Sequence, residues 1–234
     1  MNIFVVDYNP QIATQYHNDK LVVKMSTEVI QMMCTNIYVL HGLNSKRKAY
    51  SDMNIVKNVL FPMFPKRDHA EYDFYKLVMP NHPCTIWMRE SRKNFDWSLE
   101  YLKYLFFEYK FRYNKNRDSE EIYNWICDFY PYDKLPDVPQ TKFKLAISDE
   151  SLHHEDPVVA YKNYFRRDKV VYTDKRFPGK VFKHTWKKRG RPSWISEEDV
   201  KLAYNLKLKE SLQIQPKTKS KIENPILKIL LGNT

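Results

Sequence analysis

Glycine is nearly missing from this chain, with 4 residues in 234. Folds rich in sheet and tight turns usually spend more glycine than this, so an all-β sandwich or barrel is not expected. Cysteine is also sparse. Cys34, Cys84 and Cys127 are odd in number and widely spaced, which suits a reducing compartment and offers neither a disulfide framework nor a zinc knuckle. No stretch approaches the ~20 apolar residues that a membrane span needs. The opening "MNIFVVDYNP" has a four-residue apolar run and no basic lead-in, so a secretory signal is not expected. These absences lead to the expectation of a soluble, intracellular protein with no membrane partner and no internal repeat.

Positive charge and aromatic rings are abundant. Lys and Arg number 39 against 28 Asp and Glu, a formal charge of +11. Such a balance favours a polyanion, because each phosphate neutralised by Lys or Arg releases condensed counterions. Aromatic residues make up 15% of the chain. They serve a core first and provide stacking surfaces for bases second.

Hydrophobic spacing is mostly helical. The expected fold class is mostly α: a compact helical domain with a short N-terminal strand or extended arm and a basic C-terminal extension. Pro10 behind Asn9 reads as the first position of a helix running to about Leu40 and closed by Gly42. "LNSKRKAYSD" reads as a basic loop. Shorter helices are expected around Ile55–Leu60 and Glu71–Met79, then a long aromatic helix over about Thr85–Tyr113 and another near Ser119–Phe129. "YPYDKLPDVPQTKFK" is a connector. Asp156 caps a helix that opens on Pro157, and "SEED" caps a last one reaching about Leu212. The domain division expected is 1–130, 131–212 and a Lys-rich, then apolar, tail over 213–234.

On one continuous helix, His17, Lys20, Lys24, Glu28 and Gln31 share a side, while Leu21, Val22, Met25, Val29, Met32 and Met33 form the core face. Ammonium groups at Lys20 and Lys24, one turn apart, make each a better amine nucleophile at neutral pH. Glu28 is placed to anchor Lys24 or to act as a general acid or base. A solvated face with one ion pair is the plainer reading. "NHPCTIWMRESRKNFDW" puts His82 at a helix entrance with Arg89 and Arg92 behind it, arranged for phosphate; the plainer reading of His82 is a cap bonded to backbone. "SLHHEDP" offers adjacent His and acid residues that cannot converge on one metal, so no metal and no cofactor are expected.

The order "MNIFVVDYNP", "QYHNDKLVVKM", Glu28, "NHP" and a helix ending in "FFEYKFRYNK" resembles a family of small phage and large-virus proteins. More distantly it is similar to the pyrimidine-dimer DNA glycosylases of the phage endonuclease V type. The resemblance spans residues 1–115 and implies an all-helical fold, host cytoplasm as the location if the chain is viral, a catalytic glutamate at Glu28, and an N-terminal amine as nucleophile. The corresponding pieces also include His82-Pro83 and Glu108 with Arg112. That family exposes a small second residue, whereas Asn2 normally keeps Met1 in place, so Lys20 and Lys24 stand beside Met1 as candidate nucleophiles.

"HTWKKRGRPSW" completes the picture. Arg189-Gly190-Arg191-Pro192 resembles the core of an AT-hook, in which glycine lets the backbone sink into the minor groove between flanking arginines. Lys187 and Lys188 add charge, while Trp186 and Trp194 suggest that the loop is pinned to a folded body. The expected partner is double-stranded DNA, contacted by Arg89, Arg92, Arg112, Lys187, Lys188, Arg189, Arg191, Trp186 and Trp194. The expected activity is a glycosylase/lyase that flips out a damaged or modified base. The alternatives are a base-modifying enzyme and a DNA-binding protein without catalysis. Oligomeric state is not legible.

Overall fold

The structure is a computed structural model and describes residues 2–43, 75 and 77–213. The expected basic loop after Leu43, with Lys46, Arg47 and Lys48, the helix over Ile55–Leu60 and the tail from 214 lie outside those residues, as does Met1. Of the helix expected over Glu71–Met79, Tyr75 and residues 77–79 are described and carry no helical bonding. The described chain is mostly helical, with seven α-helices and one two-stranded sheet. It divides into two compact units: residues 1–163 with Thr185–Arg191, and Tyr164–His184 with residues from Pro192 onward.

The first unit holds α1 (Pro10–Gln15), α2 (Asp19–Leu40), α3 (Pro83–Arg89), α4 (Arg92–Tyr113), α5 (Glu120–Phe129) and the start of α6 (Pro157–Asp168). Residues Ile3–Val6 are buried and, among the described residues, pair with no strand, while the Val6 N–H turns back to the Phe4 carbonyl at 3.0 Å, so the arm expected from "IFVV" is an interior one. Met25, Val29, Met32 and Met33 of α2 are buried, as the spacing predicts, and so are Leu102 and Leu105 of α4, the helix against which α2 packs. Each such side chain contributes about 1.5–3 kcal/mol through burial. The connector after residue 130 runs as an extended strap. Thr141 accepts from Trp87 Nε1 through its carbonyl at 3.2 Å and donates its N–H to Asn94 Oδ1 at 2.9 Å.

Two helices expected to be continuous are each broken. The first stops at Gln15 and restarts at Asp19, because the Asn18 side chain accepts the Leu21 N–H at 2.9 Å and caps a new helix. The aromatic helix breaks at Glu90–Ser91, where Ser91 Oγ accepts the Lys93 N–H at 3.0 Å. Asn and Ser compete for backbone in this way wherever packing rewards a bend.

The first break is held by α4. Arg112, whose side chain is 0% exposed, donates to the carbonyls of Gln15 and His17 at 3.0 and 2.8 Å. It also donates to Asp19 Oδ1 at 3.1 Å and Glu108 Oε2 at 3.0 Å. His17 is therefore no member of an exposed stripe. It is fully buried, with Nε2 3.1 Å from the Tyr101 hydroxyl. Burial, then the charge of Arg112, hold its pKa down at about 3, against a hydrogen bond to the Phe4 backbone.

In the second unit β1 (Val171–Thr173) and β2 (Val181–Lys183) pair antiparallel with Tyr172 opposite Phe182. The helix α7 (Glu197–Gln213) packs on this hairpin. Its start is a capping box: Ser196 Oγ accepts the Asp199 N–H at 3.0 Å, and Asp199 Oδ2 accepts the Ser196 N–H at 2.8 Å.

Two outcomes are expected. Arg112→Leu leaves two helix-end carbonyls without their donor and Glu108 with Arg189 as its one remaining arginine, so urea denaturation should show a loss of about 3–5 kcal/mol, against about 0.5 kcal/mol or less for Lys110→Ala. His17 binds its proton far more weakly when folded than when unfolded. Its contribution is therefore complete above about pH 6.5 and declines as pH falls toward 3. Between pH 7.5 and 5.5 this one group should cost about 1.4 kcal/mol, and the difference should vanish in His17→Gln if the variant folds.

Candidate nucleic-acid interface

With His17 withdrawn into the core, the outer side of α2 carries Lys20, Lys24, Thr27, Glu28 and Gln31. Lys24 is 59% exposed and places Nζ 3.0 Å from Glu28 Oε1, whose side chain is 14% exposed. A carboxylate this sheltered is held in lower dielectric than a surface one, so an ion pair or a developing positive charge beside it counts for more.

One neighbour of Glu28 is the entrance of α3. His82 is its N-cap, and Nδ1 accepts the Cys84 N–H at 3.2 Å, so the neutral ring carries its proton on Nε2. Burial lowers the His82 pKa, and the charge of Glu28 acts in the opposite direction. Cys84 lies behind it, donating its thiol to Asn2 Oδ1 at 3.5 Å. Burial pushes that thiol up to about 11, which removes it as a nucleophile at neutral pH.

A second neighbour was not legible in the sequence. Asn114 ends α4 in the left-handed conformation, φ 55°, and turns the chain so that Arg117 returns to α2. Arg117 Nη2 donates to Thr27 Oγ1 at 2.9 Å and its guanidinium stacks over Tyr109 at 4.9 Å. A polar cleft of about 250 Å³ opens here, lined by Tyr75, Tyr109, Asn116, Arg117, Asp118 and Ser119. The one signal available was "RYNKNRDSEE", a helix stop followed at once by acidic helix-start residues.

Several expected phosphate ligands have partners within the protein. Arg112, expected at DNA, has a side chain that is 0% exposed, with Nε, Nη1 and Nη2 each bonded inside the protein, so it presents no surface to a phosphate. Arg89 Nη1 donates to Asn36 Oδ1 at 2.9 Å and the Pro80 carbonyl at 2.8 Å. Arg92 Nη1 donates to Asp137 Oδ2 at 3.0 Å and lies over the Tyr132 ring.

The basic loop is likewise built in. Within the first unit, Trp186 is buried and its Nε1 donates to the Tyr16 carbonyl at 2.9 Å. Asp19 accepts from Thr185 Oγ1 at 2.6 Å and from the Lys187 N–H at 2.9 Å. Lys188 Nζ donates to the Phe111 carbonyl at 2.7 Å. Arg189 clasps Glu108 through Nε and Nη2, so Glu108 carries two arginines. Gly190 takes φ +79° to close the turn. Lys187 and Lys188 remain exposed and Arg191 half-buried. Trp194 belongs to the second unit, where its ring meets the Arg166 guanidinium at 5.6 Å. The tetrapeptide is thus a folded turn with Arg189 engaged, not a free hook.

Among the described residues no three His, Cys, Asp or Glu side chains are grouped to hold a metal. In "SLHHEDP", His153 Nε2 meets the Ile147 carbonyl at 2.7 Å and Asp156 caps α6 through the Val158 N–H. No helix of the described residues is long and apolar enough to cross a membrane.

If Arg189 is a tie and not a hook, a double-mutant cycle of Arg189→Ala with Glu108→Gln should give a coupling energy of about 0.5–3 kcal/mol in urea melts; additive losses would show the two side chains to be independent. No family model, no curated protein and no solved structure matches this chain.

Proposed function

We propose that this protein acts on DNA as an enzyme of the glycosylase/lyase kind. The observation that carries the reading is the sheltered Glu28 carboxylate with an amine at 3.0 Å, on the most cation-lined face of α2 in a chain of charge +11. The resemblance to the endonuclease V type of glycosylase, whose catalytic glutamate lies on the first long helix, points to the same residue.

In this reading a nucleotide is flipped out of the duplex at a cost of a few kcal/mol. A neutral amine, Lys24 or Lys20, attacks the sugar C1′ as the bond to the base breaks, and the base departs with the electron pair and takes up a proton. The C1′–O4′ bond then breaks, O4′ keeping the electron pair and taking up the amine's remaining proton, which opens the sugar to an imine. Glu28 stabilises the positive charge that grows on the sugar. His82, with its proton on Nε2, donates to a phosphate or to the departing base. Phosphate contacts fall to Lys20, Lys187 and Arg117 in place of Arg89, Arg92 and Arg112.

Borohydride reduction of the imine gives a stable adduct and is the test. Wild type should trap on pyrimidine-dimer or abasic duplexes, Glu28→Gln should lose turnover with duplex affinity nearly unchanged, and one of Lys24→Ala and Lys20→Ala should eliminate the adduct. Trapping by both lysine variants would move the nucleophile elsewhere. Absence of any adduct or strand cleavage from wild type would overturn the glycosylase/lyase reading.

A further inference from the structure

The outer face of α4 shows two large rings to solvent. Phe107 is 54% and Phe111 43% exposed, with Tyr104 half-buried one turn before them. Single exposed apolar residues need no explanation. These stand in one row, i, i+3 and i+7, and the row is interleaved with cations. Lys103 Nζ lies 5.9 Å from the Phe107 ring centre. Lys188 Nζ and the Arg189 guanidinium lie over Phe111 at 5.5 and 4.5 Å. Lys110 is exposed on the same face. Of the carboxylates near the row, Glu108 is buried and bonded to two arginines, Glu100 stands one turn before Tyr104 at the end of the row, and Asp128 acts with Lys103 on Cys127.

We infer that this ridge binds single-stranded nucleic acid, with unpaired bases stacked on Phe107 and Phe111 and the backbone held by Lys103, Lys110 and Lys188. Charge complementarity selects this occupant. A second copy of this chain, at +11, would bring its own excess of ammonium groups against four cations, whereas a polyphosphate backbone is attracted to them and its bases present π faces to the rings. Duplex DNA fits poorly, since its base faces are already stacked and a convex row of phenyl rings enters neither groove usefully. Arg189 has a positioning part: bonded to Glu108 and with its guanidinium 4.5 Å from the Phe111 ring centre, it fixes the orientation of that ring. The inference does not use the chemistry of Glu28 and stands or falls without it.

Fluorescence anisotropy with labelled oligothymidylate and a labelled duplex of equal length tests it on the full chain. Phe107→Ala with Phe111→Ala should weaken oligothymidylate binding by about 5- to 150-fold per stacked base, leave the salt slope unchanged and change duplex binding much less. Trp at both positions should restore affinity. Lys103→Gln with Lys110→Gln should reduce the slope of log affinity against log salt by about 0.7 for each phosphate that is no longer neutralised. Equal binding by the alanine variant, equal losses on duplex and single strand, or an unaltered slope in the lysine variant would each overturn the inference. So would concentration-dependent self-association of wild type that the alanine variant abolishes, since the ridge would then be covered by a second copy.

Discussion

Arg112 is the group around which the first unit is arranged. A helix end leaves backbone carbonyls without partners, and α1 ends at half-buried Gln15 and Tyr16, just before fully buried His17. Arginine suits the position because its planar fork reaches several acceptors at once and never loses its charge. Two carbonyls, the Asp19 carboxylate and the Glu108 carboxylate meet one guanidinium. The Tyr16 carbonyl between them is taken by Trp186. Three consecutive orphan carbonyls are thus satisfied by side chains from distant parts of the sequence.

Burying that charge has consequences for everything nearby. One cation cannot sit in the core uncompensated, so Glu108 is buried with it, and Glu108 in turn draws in Arg189. Asp19 does the same at the other side, accepting from Thr185 and the Lys187 backbone. The basic loop is therefore held by the same network that breaks the first helix. The imidazole of His17, pressed between Phe4 and Tyr101, stays neutral partly because Arg112 is already there.

The break also shapes the candidate interface. Had α1 and α2 been one rod, His17 would share a face with Lys20 and Glu28. Bending the chain at Tyr16–Asn18 moves the histidine inside and leaves α2 free to pack between the entrance of α3 and the end of α4. Glu28 gains its shelter from that packing, with His82 within electrostatic reach on one side and Arg117 bonded to the adjacent Thr27 on the other. Phe107 and Phe111 point away from this face of the unit because Leu105, Glu108 and Arg112 occupy the inward side of α4.

What the sequence determined by itself was whatever depends on neighbours in the chain. The helical class follows from spacing and the scarcity of glycine. The caps at Asn9, His82, Asp156 and Ser196, and the ion pair of Lys24 with Glu28, are local bonds between residues a turn or less apart, and each was readable. Tertiary structure alone decided which charges are spent. Arg89, Arg92, Arg112 and Arg189 look alike in sequence, yet each is bound to an acceptor between 9 and 81 residues away or, for Arg112, up to 97. No local pattern encodes such partners, because the strength of a buried ion pair depends on which groups lose water together, and that is settled only when the helices pack.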